Sequence, residues 1–195
     1  MFYRVGEKGT DSVFTRSFSV SLITLINGKD RTLPFLSKEE VILIKNKLIQ
    51  YTYLERDVRG YIEGKGWAHA VAHVADAFED MAQSRFLEDK DLIDMLNAIQ
   101  SKIFVNDHIY INEEDERNVT AVISIFSQDV LKEQDIHQWI QSFINRKLIR
   151  KHPEDDILSK NIKCFMRSLY FRVIGQQQLE RFKVSIVSTL HKLES

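Results

Sequence analysis

Two histidines and two aspartates lie close together near the middle of the chain, at positions 69, 73, 76 and 80. On a helix that turns about 100° per residue, His69, His73 and Asp76 fall within one narrow strip, which Asp80 extends. Alanines border both edges of this strip, and they are Ala68, Ala70, Ala72, Ala75 and Ala77. Because small residues let neighbouring helices approach closely, we expect the strip to line a cleft.

A metal site is the first interpretation of this strip. Two histidines four residues apart on one helical face can share a divalent transition metal, with Asp76 as a third ligand. The pattern departs from the zinc-protease helix, in which a glutamate follows the first histidine, because Ala70 follows His69 here. The general base of that class is therefore missing, and a further ligand would have to come from elsewhere.

A site for a peptide, a protein or a small polar ligand is the second interpretation. Arg59, Lys65 and Trp67 precede the strip, in a segment whose glycines could bring backbone amides close to an anion. The candidate ligand-binding residues are therefore Asp57, Arg59, Lys65, Trp67, His69, His73 and Asp76.

A structural role is the third interpretation, and the sequence leaves all three open. His69 and His73 would then make buried hydrogen bonds to Asp57 or Glu55 and stiffen the fold. Arg59 would pair with Asp76 or Asp80, and Trp67 and Trp139 would anchor the core.

Helical periodicity dominates the rest of the chain. It predicts a first helix from Asp11 to Asn27, ended by Gly28, with an apolar stripe of Phe14, Phe18, Leu22 and Leu25. Ser37 and Glu40 form a capping box that opens a second helix reaching Tyr53. A glycine-containing loop then leads to the helix that carries the strip, predicted from Trp67 to Arg85.

Further apolar stripes predict about eight helices in a single domain, residues 1–195. Their pairs recur at intervals of roughly 40 to 45 residues, which is in the range of HEAT and armadillo units. We therefore predict an all-α fold, an irregular α-α superhelix with the strip-bearing helix near its centre. Only two prolines and seven glycines interrupt the chain, which also favours long helices.

Composition excludes several classes of protein. A net charge of -1 offers no attraction for nucleic acid, and a single cysteine excludes a scaffold of internal disulfides. No apolar stretch of about 18 residues is present to span a membrane. The start of the chain has no secretory signal pattern, so we expect a cytoplasmic protein.

Two blocks of sequence resemble a bacterial family, the domain of unknown function 2785. They are GEKGTDSVFTRSFS at residues 6–19, and DVRG at 57–60 continued by GKGWAHAVAHVAD at 64–76. The resemblance implies an all-helical, superhelical fold and no established activity, so no catalytic residue can be transferred. Because the chain starts almost on the first block, we expect a short member without the family's opening helices. Its N-terminal face would then expose apolar surface or form a homo-oligomer with another copy.

These observations lead to two hypotheses about function. The leading one is a non-catalytic binding or scaffold protein that holds its ligand in a groove lined by the strip. The alternative is a metal-dependent, hydrolase-like enzyme that uses His69, His73 and an acid such as Asp76 or Asp57. No recognisable catalytic set decides between them, so enzymatic activity is left open.

Overall fold

The computed structural model describes residues 1–194 and is all-α, as predicted. Its eight helices in that range are α1 (Ser12–Thr32), α2 (Lys38–Leu54), α3 (Ala70–Ala82), α4 (Asp89–Ile103), α5 (Glu114–Phe126), α6 (Glu133–Ser142), α7 (Glu154–Val173) and α8 (Lys183–Glu194). A short antiparallel hairpin of β1 (Tyr61–Ile62) and β2 (Gly66–Trp67) precedes α3. Within residues 1–194, no helix is both long enough and apolar enough to cross a bilayer.

Alternate helices pack against each other. α1, α3, α5 and α7 form one continuous row, while α2 packs on α4 and α6 on α8. α3 makes its most extensive contacts with α1 and α5, one on each side. All five alanines around the histidine strip are buried, which confirms that this helix is crowded by its neighbours.

Most of the predicted apolar stripes form the core. The buried stripes are Leu92, Leu96, Ile99 and Ile103 of α4, Val119, Val122 and Phe126 of α5, and Leu158, Ile162, Phe165 and Leu169 of α7. Trp139 of α6 is also buried, as predicted for a core anchor. The capping box of Ser37 and Glu40 is present at the start of α2, with both reciprocal hydrogen bonds formed.

The predicted stripe of α1 is wrong. Phe18, Leu22 and Leu25 are exposed, and the buried face instead contains Arg16 and Ser17 together with other small or polar residues. The reason is the close packing of α1 on the alanine-rich α3, which accommodates small side chains better than large ones. α1 therefore turns its large apolar side chains away from the core.

Gly28 does not end α1, which continues to Thr32. Instead, the turn after the helix is fixed by Asp30, whose Oδ1 accepts hydrogen bonds from the backbone amides of Phe35 and Leu36 at 2.7 Å each. A glycine after a helical pattern is a frequent stop signal, but here the terminating interaction lies beyond it.

Candidate functional site

The hairpin before α3 positions the first histidine. The Gly60 carbonyl oxygen accepts hydrogen bonds from the amides of Ala68 (2.8 Å) and His69 (3.4 Å). Gly64 and Gly66 adopt φ values of +72° and +92°, which a tight turn requires and glycine supplies without strain. α3 consequently begins at Ala70 and not at Trp67, which lies in β2 and is 49% exposed. Both the predicted helix start and the predicted core role of Trp67 are wrong.

His69 caps α3 in the left-handed conformation, with φ of 46°. Its ring stacks on the indole of Trp67, with centroids 4.4 Å apart and planes 8° from parallel. Its Nδ1 lies 3.9 Å from Oε1 of Glu114, too far for a hydrogen bond. Both of these atoms are buried and have no hydrogen-bond partner within residues 1–194.

His73 lies one turn further along α3. Its Nδ1 is 3.2 Å from the backbone carbonyl oxygen of Ser17 on α1. Because a carbonyl oxygen can only accept, this contact places the hydrogen on Nδ1 and leaves Nε2 of the neutral ring as an acceptor. The ring of Phe18 meets His73 edge-on at 5.7 Å, and the rings of His69 and His73 are 6.1 Å apart.

Both histidines line a groove of about 680 Å³ at one end of α3. The lining residues are Phe18, Trp67, His69, His73, Ile111, Asn112, Glu113 and Arg117. Phe18, Trp67 and Ile111 expose much of their apolar surface there. The groove therefore combines apolar walls with two imidazoles.

Burial lowers the pKa of both imidazoles. Desolvation is the largest cause for His69 and for His73, and the charge of Glu114 only partly offsets it at His69. Each ring is therefore held in its neutral form at neutral pH.

Two of the groove's residues have strained backbones. His69 and Glu113, which precede α3 and α5 respectively, both have positive φ values, 46° and 65°. Residues other than glycine rarely adopt this conformation, and where they do it is often at a binding site.

Gly60 permits the close approach of the hairpin to α5. A Cβ atom at this position would lie 2.4 Å from Oδ1 of Asn112 and 2.4 Å from Oε1 of Glu114. Asn112 in turn accepts a hydrogen bond from the amide of Tyr61 through this oxygen, at 3.3 Å. The absence of a side chain at Gly60 thus allows the carboxylate behind His69 to reach its place.

The aspartates of the strip are not gathered around the histidines. Asp76 is bound by Arg117 at 2.9 and 3.1 Å, and Asp80 by Arg31 at 2.7 Å. In the part of the chain that the structure describes, no group of three or more His, Cys, Asp or Glu side chains is arranged to hold a metal ion. The predicted ligand set His69, His73 and Asp76 is thus not brought together.

The charged residues before the hairpin serve other contacts. Arg59 binds Asp57 at 2.6 and 2.8 Å and the Thr10 carbonyl oxygen at 3.0 Å, so its predicted pairing with Asp76 or Asp80 is wrong. Burial alone would raise the pKa of Asp57, but hydrogen bonds from Arg59 and Gly9 lower it.

Lys65 also points to another partner. Its Nζ binds both carboxylate oxygens of Asp11 at 2.6 and 2.8 Å, and neither Lys65 nor Arg59 lines the groove. The predicted hydrogen bonds from the histidines to Asp57 or Glu55 are wrong as well, because His73 uses Ser17 and His69 faces Glu114.

Sequence reasoning missed the groove residues that come from other elements. The predicted stripe of α1 places Phe18 in the core, and no pattern in the sequence connects Glu113 with the histidines. Ile111, Asn112 and Arg117 carried no periodic signal, because their side chains meet the histidines only through the packing of α5 on α3.

An all-α protein with an imidazole-lined groove is the class that the fold and this geometry define. The chain belongs to the family described as "Protein of unknown function (DUF2785)", whose model matches residues 1–171. No curated protein and no solved structure matches the chain.

Proposed function

We propose that this protein is a non-catalytic binding protein that holds an uncharged polypeptide segment in the groove. One observation carries the proposal. The Nδ1–H of His73 is committed to the Ser17 carbonyl oxygen, so its Nε2 is an unprotonated acceptor in a groove with exposed aromatic walls.

The charge of the groove favours a neutral ligand. Both cationic residues expected to bind an anion, Arg59 and Lys65, are paired elsewhere, and Arg117 is paired with Asp76. Besides the side chains of Asn112 and Glu113, what is left to a ligand is imidazole nitrogen and apolar surface. The backbone amides of a peptide supply hydrogen-bond donors for the imidazole nitrogen, and its apolar side chains fit the apolar surface.

The packing of the helices supports a scaffold around this groove. A row of alternate helices is the arrangement expected when helical hairpins stack, so an irregular α-α superhelix of HEAT type is part of the proposal. We also propose that residues 1–195 act as a single domain and that the protein works in the cytoplasm.

A displayed library of random peptides tests this function directly. Peptides selected on the wild-type protein are expected to bind His73→Phe at least tenfold more weakly, because phenylalanine keeps the ring but removes its acceptor. His191→Phe, a histidine exposed on α8, is the matched control and should bind like wild type. Selection of no peptide, or equal binding to His73→Phe, would reject the proposal.

A metal-dependent, hydrolase-like enzyme is the second candidate, and one observation favours it. Metal-binding histidines usually donate one ring N–H to a protein oxygen, and Nδ1 of His73 contacts the Ser17 carbonyl oxygen in this way. Elemental analysis of the purified protein separates the candidates. A stoichiometric transition metal that is lost in His73→Ala would favour the enzyme over the binding protein.

A further inference from the structure

α1 presents a large apolar face that nothing in the described chain covers. Phe18, Leu22, Leu25 and Ile26 are 55%, 61%, 69% and 41% exposed. From Ser17 to Gly28 the sequence contains no charged residue. With 21 residues, the helix is about 31 Å long. Contiguous apolar surface of this kind usually marks an interaction site.

The two ends of this face carry opposite charges. Asp11 and Lys29 project on the same side of the helix as Leu22, within about 20°. Asp11 lies at the N-terminal end, where Lys65 binds it in an exposed ion pair. Lys29 lies at the C-terminal end, and its side chain makes no ion pair within residues 1–194.

We propose that the occupant of this face is a second copy of the chain, whose α1 packs antiparallel on the first about a twofold axis near Leu22. In this arrangement Lys29 of each copy approaches Asp11 of the other, and the helix dipoles oppose each other favourably. A parallel pairing would instead place the two Lys29 side chains together. The face is thus complementary to itself in one direction only, as a twofold interface requires.

The position of α1 in the fold supports the same arrangement. α1 is the terminal helix of the row formed with α3, α5 and α7, so pairing of two copies continues this row across the axis. Phe18 lies both on the apolar face and in the groove, so the second copy would flank the groove. The inference does not depend on the proposed function, because it concerns contacts that form without a ligand.

The molar mass in solution tests self-association. Light scattering or sedimentation over a range of concentrations is expected to show a dimer that Leu22→Glu converts to a monomer. The matched control is Val184→Glu, which adds the same charge at a residue 76% exposed on α8 and should leave the dimer intact. A monomer at every concentration, or a dimer lost only in Val184→Glu, would overturn the proposal.

Cysteine cross-linking tests the direction of the pairing. Cys164, the native cysteine, is first replaced by serine. Leu22→Cys is then expected to form a disulfide-linked dimer on mild oxidation, because the two α-carbons lie near the axis at helix-contact distance. Lys29→Cys should not, since antiparallel pairing separates its two copies by about 21 Å along the helices. Efficient cross-linking through Lys29→Cys would show parallel pairing and contradict the model of the interface.

Discussion

Two clusters of polar side chains lie on either side of α1, and they differ in how completely their atoms are paired. Behind α1, the guanidinium of Arg16 binds both carboxylate oxygens of Glu55 at 2.5 and 2.9 Å. Its remaining hydrogen bonds go to Ser12 and to backbone carbonyl oxygens of the N-terminal segment. Tyr51 adds a further hydrogen bond to Glu55 at 2.9 Å.

The groove is the contrasting case. Only one nitrogen of His73 is engaged by the protein, and Nδ1 of His69 and Oε1 of Glu114 are buried without partners. A buried cluster whose atoms are all paired holds the fold together, whereas one left half-paired is available to a ligand. The comparison predicts that disrupting the first cluster affects mainly stability and disrupting the second affects mainly binding.

Arg16→Met is expected to have the largest effect. It leaves the carboxylate of Glu55 buried without its cation, which typically costs about 3–5 kcal/mol of unfolding free energy. Denaturant unfolding followed by circular dichroism measures the loss.

The double variant Arg16→Met/Glu55→Met is the control. It removes both charges and should be less destabilised than Arg16→Met alone, because no unpaired ion is left. A double variant that loses as much as the sum of the single variants would show that the ion pair contributes nothing specific.

Lys102 belongs to the same buried region and gives the second prediction. Burial lowers its pKa to about 8, although the nearby charge of Glu55 opposes the shift, and its Nζ donates to the Glu55 carbonyl oxygen at 2.6 Å. An unfolded lysine titrates near 10.4. Between these values the unfolded state binds more protons, so the contribution of Lys102 to the unfolding free energy rises with pH.

The expected rise is about 3 kcal/mol between pH 8 and pH 10.5. It should appear in the difference between wild type and Lys102→Met, because other alkaline titrations cancel in that difference. A difference that stays constant across this range would show that Lys102 keeps an ordinary pKa.

The contrast between the two clusters also explains what the sequence could predict. The capping box and the stripes of α4, α5 and α7 depend on local spacing, and the structure contains them. The alanines around the strip correctly indicated a crowded helix, since small size is a property readable from the sequence.

Long-range polar contacts account for the errors. Arg16 lies on the buried face of α1 because Glu55, 39 residues later, neutralises its charge there. No periodic pattern in the sequence predicts such a pair. The periodicity predicts that His69 lies inside the helix. The hydrogen bonds of the hairpin to the Gly60 carbonyl oxygen instead delay the start of α3 until the residue after His69. The partners of both histidines come from helices other than α3, so their identity required the packing.

Gly60→Ala is expected to have the third largest effect and to act on the groove. The new methyl group would displace the side chains of Asn112 and Glu114, at a cost of about 1–3 kcal/mol. Peptides selected on the wild-type protein should bind Gly60→Ala more weakly, because the displaced Glu114 lies next to the ring of His69. Gly64→Ala is the matched control: its positive φ costs about 1 kcal/mol, but its added methyl has nothing within 4 Å. Equal losses of binding in both variants would refute a specific role for the close approach at Gly60.

Acid should produce the smallest effect, which the two histidines of the groove cause. His69 and His73 have pKa values lowered by burial, whereas unfolded histidines titrate near 6.5. Their contribution to stability is therefore complete above about pH 6.5 and is lost as the pH falls towards the folded pKa, since the unfolded state then binds more protons. His69→Phe/His73→Phe should lack this part of the acid dependence. Peptide binding to wild type should weaken at lower pH, as the pH falls to the folded pKa of His73 and below, because protonation then removes the Nε2 acceptor. Unfolding free energies with the same acid dependence in both proteins would mean that neither imidazole is held neutral by its surroundings.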